Sequence, residues 1–301
     1  MIILQSKIQS KIMFENSDDI FLDGTFYSAP KCVYQILIIR VNIKGTRTYA
    51  TTCFALCSNK KEELYYLILS EINKNLNYNN DGIFKPCKIY IDFEIGLSNA
   101  IIRVWNESQI KYCFFHFQQI IERKRKKYLD LYNDNIDVKE IFKRIRTLPL
   151  IKPEYVIDVF SLIKSKNKYK ELDSFLEYFE ENFLKKYDII CWNYYNETNI
   201  RTNNPCEGFN NKLNSYFDKK PSIYKLINVF VREEFLMRKD YESSITNGFK
   251  KMYRLSPGPG EYFDILPYYI EKDNLIKGKT VAAKKEKINL WFDAALKLPF
   301  K

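Results

Sequence analysis

The chain has 301 residues, 46% of them hydrophobic, enough for one large or two modest domains with a full core. Lys and Arg number 48 against 37 Asp and Glu, a formal charge of +11, which favours an anionic partner, nucleic acid first and an acidic membrane surface second. No run approaches the ~18 apolar residues of a membrane span, and seven scattered cysteines with a lone histidine, His116, point to reduced thiols and exclude cages built from several histidines.

Residues 1–17 are polar and basic with weak periodicity, a helical or disordered lead-in. Asp19–Phe26 reads as a strand whose alternation ends in Asp23-Gly24. Tyr34–Val41 and Thr46–Leu56 are two apolar runs rich in β-formers, joined at Lys44-Gly45, and connections this short make the three strands an antiparallel meander. Asn59 with Glu62 predicts a capping box, opening a helix that buries Leu64, Leu67, Ile68, Ile72 and Leu76. After a loop at 77–86, Lys88–Asp92 alternates as a strand does. Leu97, Ala100, Ile101, Val104 and Trp105 then form one helical stripe, and Gln109–Phe115 returns to strand character. Strand, helix, strand predicts a βαβ unit with parallel strands and a right-handed crossover. The fold class is therefore α/β, a mixed five-stranded sheet flanked by helices.

After His116 the sequence becomes helical, charged and nearly free of glycine, broken only around Thr147–Pro153. The basic cluster Arg123, Lys124, Arg125, Lys126 and Lys127 lies in its first helix and offers a surface to phosphates. Asn204-Pro205-Cys206-Glu207 is a strong helix start, with Cys206, Phe209, Leu213 and Phe217 as the inward stripe. Further helices are expected at Ile223–Lys239 and Lys284–Leu298, separated by a loop around 256–260. The divisions that follow are a lead-in at 1–18, a core at 19–117, a helical insertion at 118–198, a helix completing the core within 199–240, and a helical extension at 241–301.

Three acids are candidates for chemistry: Asp23 and Asp92 at the ends of two strands, and Glu207 at the head of a helix. If the two strands are neighbours, their carboxylates meet, and two carboxylates that close repel unless a cation lies between them. Hard divalent cations suit all-oxygen ligands, and two ions would clamp a phosphodiester. Each acid also has a plainer reading. Asp23-Gly24 could be turn chemistry, Asp92 could cap the helix after it, and Glu207 could belong to a capping box. Glu94, two residues beyond Asp92, competes with Glu207 for the third position.

The ordered set Asp23-Gly-Thr-Phe26, Ser28-Ala29-Pro30, Ile91-Asp-Phe-Glu94, Cys113-Phe-Phe-His-Phe-Gln118, Arg201-Thr-Asn-Asn204, Glu207-Gly-Phe209 and Leu213-Asn214 resembles the transposases of Mutator-like elements, the MULE domain, over residues 19–217. That resemblance implies an RNase H-like core of the DDE type, related to the hAT transposases, with an all-α insertion before the last catalytic helix. It implies Asp23, Asp92 and Glu207 as catalytic carboxylates and metal ligands, two Mg2+ or Mn2+ ions as cofactors, and DNA at transposon ends and targets as partner. A nuclear location and a homodimer or higher oligomer fit the same picture, with no membrane. Cys113 and His116 match the family's C/D-x-x-H signature, and Trp192 resembles a tryptophan of the related insertion domains. A structural or DNA-positioning role at the junction is expected for Cys113 and His116, because a structural zinc needs four ligands.

Such transposases resemble proteins with a separate zinc-binding recognition module ahead of the core, and only about twenty residues precede Asp23 here. The expectation is a fragment, a degenerate copy or a host-adopted derivative. The rival function is a non-catalytic DNA-binding or regulatory protein descended from such an enzyme.

Overall fold

A computed structural model of the chain describes residues 1–46, 48–195, 197, 204–217 and 220–246. The helix expected at Lys284–Leu298, the loop around 256–260 and most of Arg201-Thr-Asn-Asn204 fall outside those residues. Two compact units are present, one formed by Met1–Phe115 with the described part of 202–252, the other by the described part of 116–201.

The first unit opens with β1 (Ile2–Leu4) and α1 (Lys7–Glu15). The lead-in is thus ordered: Ser6 and Gln9 form a reciprocal capping box on α1, which buries Ile12 and Met13. Then come β2 (Asp19–Thr25), β3 (Gln35–Asn42) and β4 (Tyr49–Cys57), an antiparallel meander. Next are α2 (Glu62–Asn79), β5 (Lys88–Ile91), α3 (Ile95–Val104) and β6 (Gln109–Tyr112). The sheet runs β1-β4-β3-β2-β5-β6, with β2, β5 and β6 parallel. It has six strands rather than the expected five, because β1 pairs antiparallel with the outer edge of β4, Ile3 opposite Ala55. Three residues are too few to show a period of two, which is why that strand is silent in the sequence.

Two local expectations are corrected. The N-cap of α2 is Lys61, without a side-chain cap, because Asn59 Oδ1 accepts from the Lys61 N–H at 2.8 Å in a turn of its own. The buried face of α2 is Tyr65, Ile68, Leu69, Ile72 and Leu76, while Leu67 is 52% exposed. The inward face is set by Tyr65, whose hydroxyl lies against Gln35 of β3.

The second unit is all-helical: α4 starts at Phe114 and runs to Arg125, followed by α5 (Leu129–Asp134), α6 (Ile136–Thr147), α7 (Val156–Ser165), α8 (Asp173–Phe179) and the short α9 (Ile189–Trp192). Its core is aromatic. Phe117 stacks on Trp192 at 5.6 Å, Phe160 on Phe179 at 5.1 Å and Phe142 on Phe175 at 4.6 Å. Trp192 is fully buried, and its indole N–H donates to the Phe183 carbonyl at 3.1 Å. That carbonyl belongs to a π-helical turn, Glu180–Lys185, whose wider hydrogen-bond spacing departs from the ordinary helical ladder. The break around Thr147–Pro153 is stitched by Tyr194 N–H to Pro149 O and the Asn193 amide to Ile151 O.

The chain returns to the first unit as α10 (Asn204–Ser215) and α11 (Ile223–Thr246). Phe209, Leu213 and Phe217 join Ile36, Ile38, Phe54, Leu56, Leu226 and Phe230 in one apolar cluster on a single face of the sheet. The ring of Phe54 stacks on Phe230 at 3.9 Å. The Gln35 side of β3 carries α2, so helices cover both faces.

Candidate active site

The strand register alone brings two of the acids together. Phe21 pairs with Tyr90 across the parallel β2–β5 ladder, so two residues further on Asp23 comes level with Asp92. Adjacent strands lie roughly 4.8 Å apart. In the β5–β6 ladder Ile91 pairs with Tyr112, and the Cys113 N–H donates to Ile91 O at 2.8 Å, so Cys113 is level with Asp92. Asp23, Asp92 and Cys113 therefore form one rung across three parallel strands at their carboxyl ends. Open α/β sheets bind their ligands there.

Asp23 lies inside β2, not in a turn, and is 8% exposed. Directly opposed residues of an antiparallel pair share a face. Asp23 opposes Ile38, which belongs to the cluster under α10. Both carboxylate oxygens of Asp23 accept hydrogen bonds, Oδ1 from the Gly24 N–H at 2.8 Å and Oδ2 from the Asn210 amide of α10 at 2.6 Å. Gly24 is required there because a Cβ would come within 2.7 Å of Gln35 Oε1, and Gln35 is fully buried.

Glu207 sits in the first turn of α10, and its Oε1 lies 3.9 Å from the Cys113 sulfur. Its neighbour Cys206 is fully buried. Burial, then the negative charge of Asp23, push the Cys206 thiol well above its ordinary value, with Asp92 and Cys113 adding to the effect and Arg40 opposing it. The helix start is clamped from β3: Arg40 donates from Nη1 to the Pro205 carbonyl and from Nη2 to the Tyr49 carbonyl at 2.8 Å. Its guanidinium lies 5.0 Å from the Phe209 ring centroid. Burial lowers the Arg40 pKa, so the charge is held at a desolvation cost.

Glu94 is placed elsewhere. It is the N-cap residue of α3, its Oε1 accepts from the Tyr65 hydroxyl at 2.6 Å, and its Oε2 pairs with Lys60 at 3.3 Å. Tyr65 in turn accepts from Gln35, whose position alternates with Ile36 and Ile38 on β3, so Glu94 belongs to the sheet face away from α10. Asp92 does not occupy the cap position; its backbone carbonyl accepts from the Glu94 N–H at 2.6 Å.

His116 lies in the first turn of α4. Of the basic cluster, Arg123, Lys126 and Lys127 are exposed. Lys124 and Arg125 are engaged within the second unit: Lys124 Nζ lies 3.4 Å from the Tyr178 ring centroid, and Arg125 pairs with Glu122 at 2.6 Å and covers Tyr132. Arg40 and Asn210 escaped the sequence reading. The one available signal was that Asn210 lies three residues beyond Glu207, one helical turn along the same face.

Residues 20–120 match the model of the MULE transposase domain, about a third of the chain. Among solved structures the chain is similar to the Drosophila P element transposase strand transfer complex, at 9% identity and a TM-score of 0.30, over 96% of this chain and 81% of that one. No curated protein matches.

Proposed function

We propose that this chain is a DDE-type transposase core that hydrolyses phosphodiesters at element ends and uses the freed 3′-hydroxyl for strand transfer, with Asp23, Asp92 and Glu207 as its catalytic carboxylates. The observation that carries the reading is the level pairing of Asp23 with Asp92 across parallel strands, with Glu207 delivered beside them by α10. The match of residues 20–120 to the MULE transposase domain supports it from sequence.

The donor set fits hard divalent cations: three carboxylates supply only oxygen, as Mg2+ and Mn2+ prefer. Two such ions, when bound, would lower the pKa of the attacking water or 3′-hydroxyl and stabilise the leaving oxygen. The rest falls to the chain. Asp23 is turned by the Gly24 N–H and the Asn210 amide, so its carboxylate is oriented in advance. Cys206 stays a neutral thiol beside the acids, because burial foremost holds its proton on. Arg40 fixes the first turn of α10, and through it the place of Glu207. Lys60 and Tyr65 hold Glu94 away from the reacting centre. Exposed Arg123, Lys126 and Lys127 offer the second unit to the DNA backbone, and work on chromosomal DNA would take place in the nucleus.

Supercoiled-plasmid nicking with Mg2+ or Mn2+ tests the reading. Nicking that disappears in Asp92→Asn is expected. DNA binding without any metal-dependent nicking would instead select the non-catalytic, DNA-docking descendant.

A further inference from the structure

Helix α10 carries two stripes. Cys206, Phe209, Leu213 and Phe217 are buried, the last three in the cluster on the sheet. Beside them, Glu207, Asn210 and Asn214 recur at i, i+3 and i+7, so they line a neighbouring face. Each polar residue of that second stripe meets a different partner. Glu207 reaches Cys113 at 3.9 Å, Asn210 donates to Asp23 Oδ2 at 2.6 Å, and Asn214 Oδ1 accepts from the Ser28 hydroxyl at 2.5 Å. Ser28 is fully buried and lies five residues beyond Asp23 in the same stretch of chain.

The apolar stripe holds the helix on the sheet through the hydrophobic effect, which is non-directional. The hydrogen bonds are directional. Asn210 and Asn214 therefore act as two pegs that fix where α10 stops along β2. Asn210 bears more of this duty, because its partner is an acid of the site. It turns its amide N–H, not its carbonyl, towards Asp23, which suits an ionised acceptor. Its own Oδ1 is buried and has no hydrogen-bond partner among the described residues. An orphaned buried acceptor costs stability, so the Asp23 contact is held against a penalty.

We infer that Asn210 is a positioning residue for the metal site: it ties the helix bearing Glu207 to Asp23 and aims the Asp23 carboxylate. This rests on the reading of Asp23, Asp92 and Glu207 as metal ligands. Groups that orient ligating carboxylates typically change metal affinity by roughly tenfold to a hundredfold when removed.

The test is Mn2+ binding to the full chain, followed by the electron paramagnetic resonance of free Mn2+, with thermal unfolding in chelator as the measure of fold. Asn210→Ala and Asn210→Leu both remove the donor, and the leucine keeps the volume. Each should raise the half-saturating Mn2+ concentration by at least roughly tenfold. Asn214→Ala, which loosens the same helix without touching a carboxylate, should stay within about twofold of the parent. Unchanged affinity in whichever Asn210 variant unfolds cooperatively would overturn the inference while leaving the carboxylate site standing. So would an equal loss in Asn214→Ala, which would reduce the effect to a loosened helix. If the parent protein binds no Mn2+, the reading of the carboxylates fails, and this inference with it.

Discussion

Arg40→Ala is expected to destabilise the first unit and to loosen α10 before anything else. Arg40 donates to the carbonyls of Pro205 and Tyr49, and hydrogen bonds from a charged group contribute about 1.5–3 kcal/mol each. Its guanidinium also lies 5.0 Å from the Phe209 ring and 6.0 Å from that of Tyr49, adding about 0.5–1 kcal/mol. Against this stands the burial that lowers its pKa, a cost the alanine variant no longer bears. The net loss should be about 3 kcal/mol, roughly 6–12 °C in Tm for a unit of this size. Thermal unfolding followed by circular dichroism measures that loss. Hydrogen exchange should show α10 amides speeding up while those of α6, in the second unit, do not. Arg40→Lys should recover less than half, because an ammonium lacks the planar fork that reaches two carbonyls. A loss under about 1 kcal/mol, or equal acceleration in α6, would refute the clamp.

Gly24→Ala should cost about 1–3 kcal/mol, since the new methyl displaces Gln35 from Tyr65; an unchanged melting temperature would mean that Gln35 has room to move. Burial raises the Asp19 pKa above 3.8, outweighing the Tyr90 hydroxyl that donates to it. Its ionised form therefore penalises the fold above the raised pKa, and the penalty vanishes below 3.8. Asp19→Asn should accordingly raise Tm more at pH 7 than at pH 3.5, and a gain of the opposite pH dependence would reverse the sign argued here. Replacing Arg123, Lys126 and Lys127 together by Ala should flatten the log–log salt dependence of DNA binding by about 2.7, whereas replacing Lys124 and Arg125 should mainly lower stability. Equal changes of slope in the two variants would place the engaged pair on DNA as well.

Much of the sheet was legible because β2, β3 and β4 are apolar runs of seven to nine residues rich in β-formers, buried at nearly every position under helices on both faces. The three-residue β1 was not. In α2 the apolar run Leu64–Leu69 fits several helical phases, and the choice among them is made by Tyr65 reaching Gln35, a partner 30 residues away. The same holds for the clamps around the site. Arg40 and Pro205 are 165 residues apart, and Asn210 and Asp23 are 187 apart, so no local pattern announces either pair. The stripe Cys206–Phe217 was readable, since helical spacing of apolar residues is a local signal. Glu94 was the tempting alternative: two residues from Asp92, it fits the strand's alternation, but β5 ends at Ile91 and Glu94 is the N-cap residue of α3.

The account depends most on which carboxylate joins Asp23 and Asp92. The direct measurement is the rate of Mg2+-dependent plasmid nicking by Glu207→Gln beside Glu94→Gln, each checked for an unaltered melting temperature. Abolished nicking in Glu207→Gln with measurable activity retained in Glu94→Gln is the expected result. Nicking that survives the loss of the Glu207 carboxylate but not that of Glu94 would contradict it.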